Sequence, residues 1–123
     1  MSFNFKEIKE SIRIKDKEIK LKVLTFSGKD GDYYVVVSPA LLVSGYGNTE
    51  EEAEESFKAN LETFCRDLMV LDSEQRDLEL KKLGFLKEKY HTKNFSKAYI
   101  DENGVLHGLE KSSIKTSMLE ATV

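Results

Sequence analysis

Few side chains in this sequence could do chemistry. They are His91 and His107, the lone Cys65, and the glutamate run Glu50-Glu51-Glu52. A hydrolytic triad needs a base held by an acid and aimed at a nucleophile. Neither histidine has such neighbours, and Val43-Ser44-Gly45-Tyr46-Gly47 has the wrong order for a nucleophile elbow. Both histidines are therefore expected in surface or hairpin roles. Cys65 follows Phe64 and reads as a small buried hydrophobe rather than a reactive thiol. One cysteine and two distant histidines form no ligand cluster for structural zinc. Consecutive glutamates on a helix point apart, and acids favour a first helical turn through the helix dipole. Gly45-Tyr46-Gly47 lacks the Gly-Lys-Ser/Thr ending of a phosphate loop. These residues predict no enzyme, no cofactor and no metal.

At 123 residues the chain is long enough for one domain with its own core, and a single domain over 1–123 is expected. Its 40% hydrophobic and 33% charged residues are ordinary for a globular protein. No apolar stretch is long enough to span a bilayer, and the first ten residues lack the apolar core of a secretory signal. One cysteine fits a reducing compartment, so a cytoplasmic location without membrane attachment is expected. The net charge of −3 names no partner, but its distribution is uneven. Residues 48–62 carry six Glu against one Lys, whereas residues 81–97 carry six Lys against one Glu.

Residues 33–64 hold the clearest pattern: strand, proline, strand, glycine turn, capped helix. Residues 33–37 are aromatic or β-branched, which suits a buried strand. Pro39 offers no N–H to a ladder, so that strand must end there or reach an edge. Residues 41–44 form a second short apolar run, and Gly45 and Gly47 supply freedom for the turn out of it. Thr49 with Glu52 three residues later is a capping-box signature. Ala53, Phe57, Leu61, Phe64 and Leu68 then fall on one helical face, predicting a helix to about Leu71. Upstream, Ile19, Leu21 and Val23 alternate with charged residues as in a half-wet strand. The phase breaks at Leu24 and Phe26, by a bulge or by burial on both faces. Residues 27–32 read as a polar hairpin loop, and Ile12 and Ile14 as a short strand or docked arm. Asp72 and Ser73 begin a second helix carrying Leu78, Leu80 and Leu83, with Gly84 as its left-handed stop. Residues 97–107 carry a hairpin signal. Ile114, Met118 and Leu119 fit one helical face in a Ser/Thr-rich tail.

The turn Gly47-Asn48-Thr49-Glu50-Glu51-Glu52-Ala53, with the proline-ended strand before it, resembles the N-terminal domain of HicB-type antitoxins over about residues 19–71. The resemblance implies an α+β domain with a degraded ribonuclease H-like fold. A three-stranded antiparallel sheet would pack on the long helix. Residues 72–123 would add a second helix and a C-terminal hairpin. It further implies a cytoplasmic toxin–antitoxin component that occludes a small basic messenger-RNA interferase of the HicA type. Glu50, Glu51, Glu54 and Glu55 are the candidate acidic surface for that toxin, and Pro39, Gly45, Gly47, Asn48, Thr49 and Glu52 form the turn and cap that hold it. A working ribonuclease H sets carboxylates around two metals. Here the wet face of the first strand carries Lys20 and Lys22, so the fold is expected without the nuclease.

Two other readings stay open. Lys81, Lys82, Lys87, Lys89, Tyr90 and Lys93 could contact RNA through phosphates and stacking, as could Phe95. The chain could also be a homo-oligomeric scaffold or small-ligand domain with no toxin. No helix-turn-helix or ribbon-helix-helix pattern follows Gly84, which counts against DNA binding. A short sheet with an apolar strand at residues 33–37 predicts a homodimer or larger oligomer.

Overall fold

The computed structural model describes residues 9–87, 91–94 and 115–123. Its fold is α+β, an antiparallel sheet with two helices. The strands are β1 (Lys9–Lys15), β2 (Glu18–Asp30), β3 (Tyr33–Ser38) and β4 (Val43–Gly47). After the helices α1 (Glu50–Val70) and α2 (Ser73–Lys82) come β5 (Leu86–Lys87), β6 (His91–Asn94) and β7 (Lys115–Thr122). Among the described residues the expected three strands are thus part of a sheet of seven. The hairpin signal at residues 97–107 lies outside the described residues.

Strand β2 organises the sheet. Its residues 20–27 pair with β7 on one edge, without a slip in register. On the other edge β1 takes residues 18–22 and β3 takes residues 26–30. Because β7 spans both segments, β1 and β3 must share the opposite edge, one behind the other. They part around Leu24, whose backbone N–H loses its ladder partner. The Glu10 carboxylate fills that gap, with Oε2 accepting the Leu24 N–H at 3.0 Å while Glu10 is only 1% exposed. A buried backbone donor needs such a partner. The broken phase at Leu24 and Phe26 follows from the same place. There is no bulge in the β7 ladder, and β2 is buried on both faces from Val23 to Phe26.

Three expectations are corrected here. The polar loop is only Gly31-Asp32, and β2 continues through Asp30 because Gly31 adopts φ +63° and closes a tight hairpin. The second apolar run begins its strand at Val43, not Leu41. Pro39 ends β3, and the chain turns over residues 39–42 with Leu42 at φ +56°. Gly45 and Gly47 therefore lie inside β4. The tail of residues 115–122 is a strand rather than a helix. Its β-branched residues suit the ladder, and Thr25 and Ser117 hydrogen-bond across it, Oγ to Oγ, at 2.8 Å.

The core lies between the sheet and α1. Ile12, Ile19, Leu21, Val23 and Val36 meet Ala53, Phe57, Leu61, Cys65 and Leu68. Those helical positions recur every three or four residues, the spacing that puts them on one face. Helix α2 starts at Asp72, whose Oδ1 accepts the Gln75 N–H at 2.8 Å. It ends at Gly84, φ +96°. There Phe85 N–H reaches Leu80 O at 3.0 Å and Gly84 N–H reaches Lys81 O at 2.9 Å, the two bonds of a Schellman motif. Leu80 and Phe85 are buried by this turn, whereas Leu78, expected on the apolar face, is 55% exposed. No helix among the described residues is long and apolar enough to cross a membrane.

Candidate functional site

The start of α1 is fixed from three directions. Thr49 Oγ1 accepts the Glu52 N–H at 3.1 Å, and Glu52 Oε2 accepts the Asn48 N–H at 2.8 Å. This is the expected capping box, with the return bond made one residue before the cap. Ser56 Oγ accepts the Tyr46 N–H at 3.3 Å, and the Asn60 side-chain amide donates to Ser44 O at 2.7 Å. Both bonds tie α1 to β4. The glycines allow that contact. A Cβ on Gly45 would stand 2.1 Å from Phe57 N, and one on Gly47 would stand 2.4 Å from Glu52 Cβ. Only glycine lets a strand backbone lie this close to a helix.

The fixed helix start carries Glu50, Glu51, Glu54 and Glu55, all exposed. Pro39 is buried just beyond β3. Along the β4 edge, Tyr46 (68% exposed) meets Tyr33 (51% exposed) edge-to-face, with ring centroids 6.2 Å apart. Side-chain alternation sends Gly45 toward α1 and Tyr46 to the other face. The aromatic pair therefore lies on the sheet face turned away from α1 and its glutamates.

The basic candidates are distributed differently. Lys81 and Lys82 are exposed at the end of α2, where Lys82 Nζ bonds Glu79 Oε1 at 3.1 Å. Lys87 lies on β5, and Lys93 stands opposite Glu10 in the β1–β6 register. Lys89, Tyr90 and Phe95 lie outside the described residues. A cluster that no local spacing signalled joins Lys87 to a histidine. Asp77 Oδ2 is 3.0 Å from Lys87 Nζ, and Asp77 Oδ1 is 3.0 Å from His91 Nε2. His91, expected at the surface or in a hairpin, pairs with Lys87 across the antiparallel β5–β6 ladder and is buried at 7% exposure, with its Nε2 against Asp77 of α2. The Lys87 ammonium hydrogen-bonded to Asp77 holds that carboxyl below its ordinary range, with the His91 ring adding a smaller pull. The three residues stand ten and fourteen positions apart. Only the Gly84 stop, which turns the chain back along α2, could have hinted at their meeting.

Arg76 of α2 serves α1. Its Nε donates at 3.2 Å to Leu68 O, which also accepts the Leu71 N–H, and its Nη2 donates to Leu71 O at 3.1 Å, so it ties α2 to the end of the longer helix. Cys65 is 1% exposed, and burial, aided by the Glu62 carboxylate, pushes its thiol up to about 11. Such a thiol is a poor nucleophile at neutral pH. Among the described residues no group of three His, Cys, Asp or Glu is placed to hold a metal ion. No protein-family model, curated protein or solved structure matches this chain, so any functional reading rests on the site's own chemistry.

Proposed function

We propose that this chain is a non-catalytic binding module that covers a small basic protein, as a HicB-type antitoxin covers a HicA-like messenger-RNA interferase. The observation that carries this reading is the acidic start of α1. Four exposed glutamates stand on a helix end held by a capping box and by two side-chain bonds to β4. A rigid array of like charge costs little ordering on binding, and it steers an oppositely charged partner more than it deepens affinity. The turn sequence 47–53, which resembles that family, points to the same partner class. The mechanism would be occlusion of the partner's RNA-binding surface by the acidic helix start.

The test is genetic. A gene for a short basic protein should adjoin this one, and its expression should arrest growth. Co-expression of this chain should restore growth, and a variant with Glu50, Glu51, Glu54 and Glu55 changed to Lys should not. A neighbour of unrelated chemistry, or rescue by the charge-reversed variant, overturns the reading.

A further inference from the structure

Beside the Asp77–Lys87–His91 cluster lies a cleft of about 360 Å³ between α2 and the edge of β1, lined also by Arg13, Lys15, Ser73 and Arg76. Among the described lining residues Arg13, Lys15, Arg76 and Lys87 are cationic and Asp77 is the carboxylate. Among the described residues the lining is thus mostly cationic, on a chain whose net charge is −3. Among the described residues β6 pairs with β1 only over residues 9–12, which leaves the edge open at residues 13–15 beside the cleft. Ser73 adds a hydroxyl and the first turn of the ten-residue α2, whose dipole favours anions. Asp72 and Glu74 at that helix end oppose an anion in part. The Asp77 carboxylate and the carbonyls of Leu68 and Leu71 hold Lys87, His91 and Arg76 in place, so these groups are ordered before any ligand arrives.

We propose that this cleft is a phosphate-binding site, taking the phosphate of a small phosphorylated ligand or of an RNA backbone. Its volume lies at the small end of ligand pockets, enough for a group the size of a nucleoside monophosphate. Arginine and lysine are the donors that recognise phosphate oxygens, as charge-assisted hydrogen bonds. This site is separate from the acidic helix start and goes beyond the function proposed for it.

The probe is built into the sequence, which has only two histidines. In a His107→Asn variant the single remaining imidazole is that of His91. Its ¹H–¹⁵N signals are followed during titration with inorganic phosphate, with adenosine monophosphate, and with a short single-stranded RNA lacking terminal phosphates. Potassium chloride at matched ionic strength is the control. A saturable shift is expected at ligand concentrations on the order of millimolar. Lys15→Met, at an exposed position that leaves the fold intact, should weaken binding several-fold, and Lys87→Met about tenfold or more. Saturation by free phosphate and the monophosphate alone assigns a small ligand, and saturation by RNA alone assigns its backbone. No saturable shift with any of the three, or an equal shift with chloride, overturns the proposal.

Discussion

Replacing Gly45 by alanine tests how the acidic helix start is held. The added Cβ would lie 2.1 Å from Phe57 N, 2.5 Å from Phe57 Cα and 2.7 Å from Ser56 C. All three are backbone atoms, so no side chain can swing aside. The strand and the helix must separate by about 1 Å to reach ordinary contact, in an interior packed too closely to absorb it. That shift would pull on the Tyr46–Ser56 and Ser44–Asn60 hydrogen bonds and unseat Phe57, which is 6% exposed. Overpacking of this kind costs about 3 kcal/mol or more when backbone must move. Gly31→Ala is the control. Its Cβ meets nothing within 4 Å, so only its left-handed φ of +63° is strained, at about 1 kcal/mol. Urea unfolding followed by far-ultraviolet circular dichroism should rank Gly45→Ala well below Gly31→Ala. A Gly45→Ala midpoint equal to or above that of Gly31→Ala refutes the close approach of β4 to α1.

Thr49→Ala should cost about 1 kcal/mol by loss of its bond to the Glu52 N–H, and unchanged denaturant midpoints would contradict the cap. Cys65 should resist a soluble disulfide reagent at neutral pH until the protein unfolds. Its folded thiol titrates above the unfolded one, so stability is full below about pH 9 and falls as pH rises toward 11; labelling of the native protein at the rate of a free thiol would contradict this. Asp77 has the opposite sign. Its depressed folded pKa contributes stability above the unfolded value near 4, lost as pH falls through the folded one, and Asp77→Asn should flatten that acid limb of a pH–stability curve. An acid limb identical to wild type would remove the cluster from the account. Sedimentation equilibrium should give a dimer or larger species at tens of micromolar, and a strict monomer would end the self-association proposal.

The α+β class, the Thr49 cap, the span of α1 and the Gly84 stop were legible because each depends on local chemistry. A hydroxyl three residues before a glutamate, a four-residue apolar period and a glycine beyond the last turn all act within a few positions. What was illegible is set by contacts far apart in sequence. Strand β7 looks like a weak helix until its pairing with β2, about a hundred residues earlier, is known. The fork where β1 and β3 part hides from any pattern, as does Glu10 sealing it. The glycines of β4 look like turn residues in the sequence, whereas their work is to let α1 lie against the strand. The acidic patch was visible as composition. The basic cleft was not, since β1, α2, β5 and β6 each bring only part of it.

The claim that the acidic helix start is a docking surface can be measured directly. The basic product of the adjoining gene should be titrated with this chain at two salt concentrations, by stopped-flow and calorimetry. Wild type is compared with the variant carrying lysine at positions 50, 51, 54 and 55. The association rate of the complex should fall steeply with salt, and the reversed variant should associate at least about tenfold more slowly. Equal rates for the two proteins, or rates indifferent to salt, would contradict it.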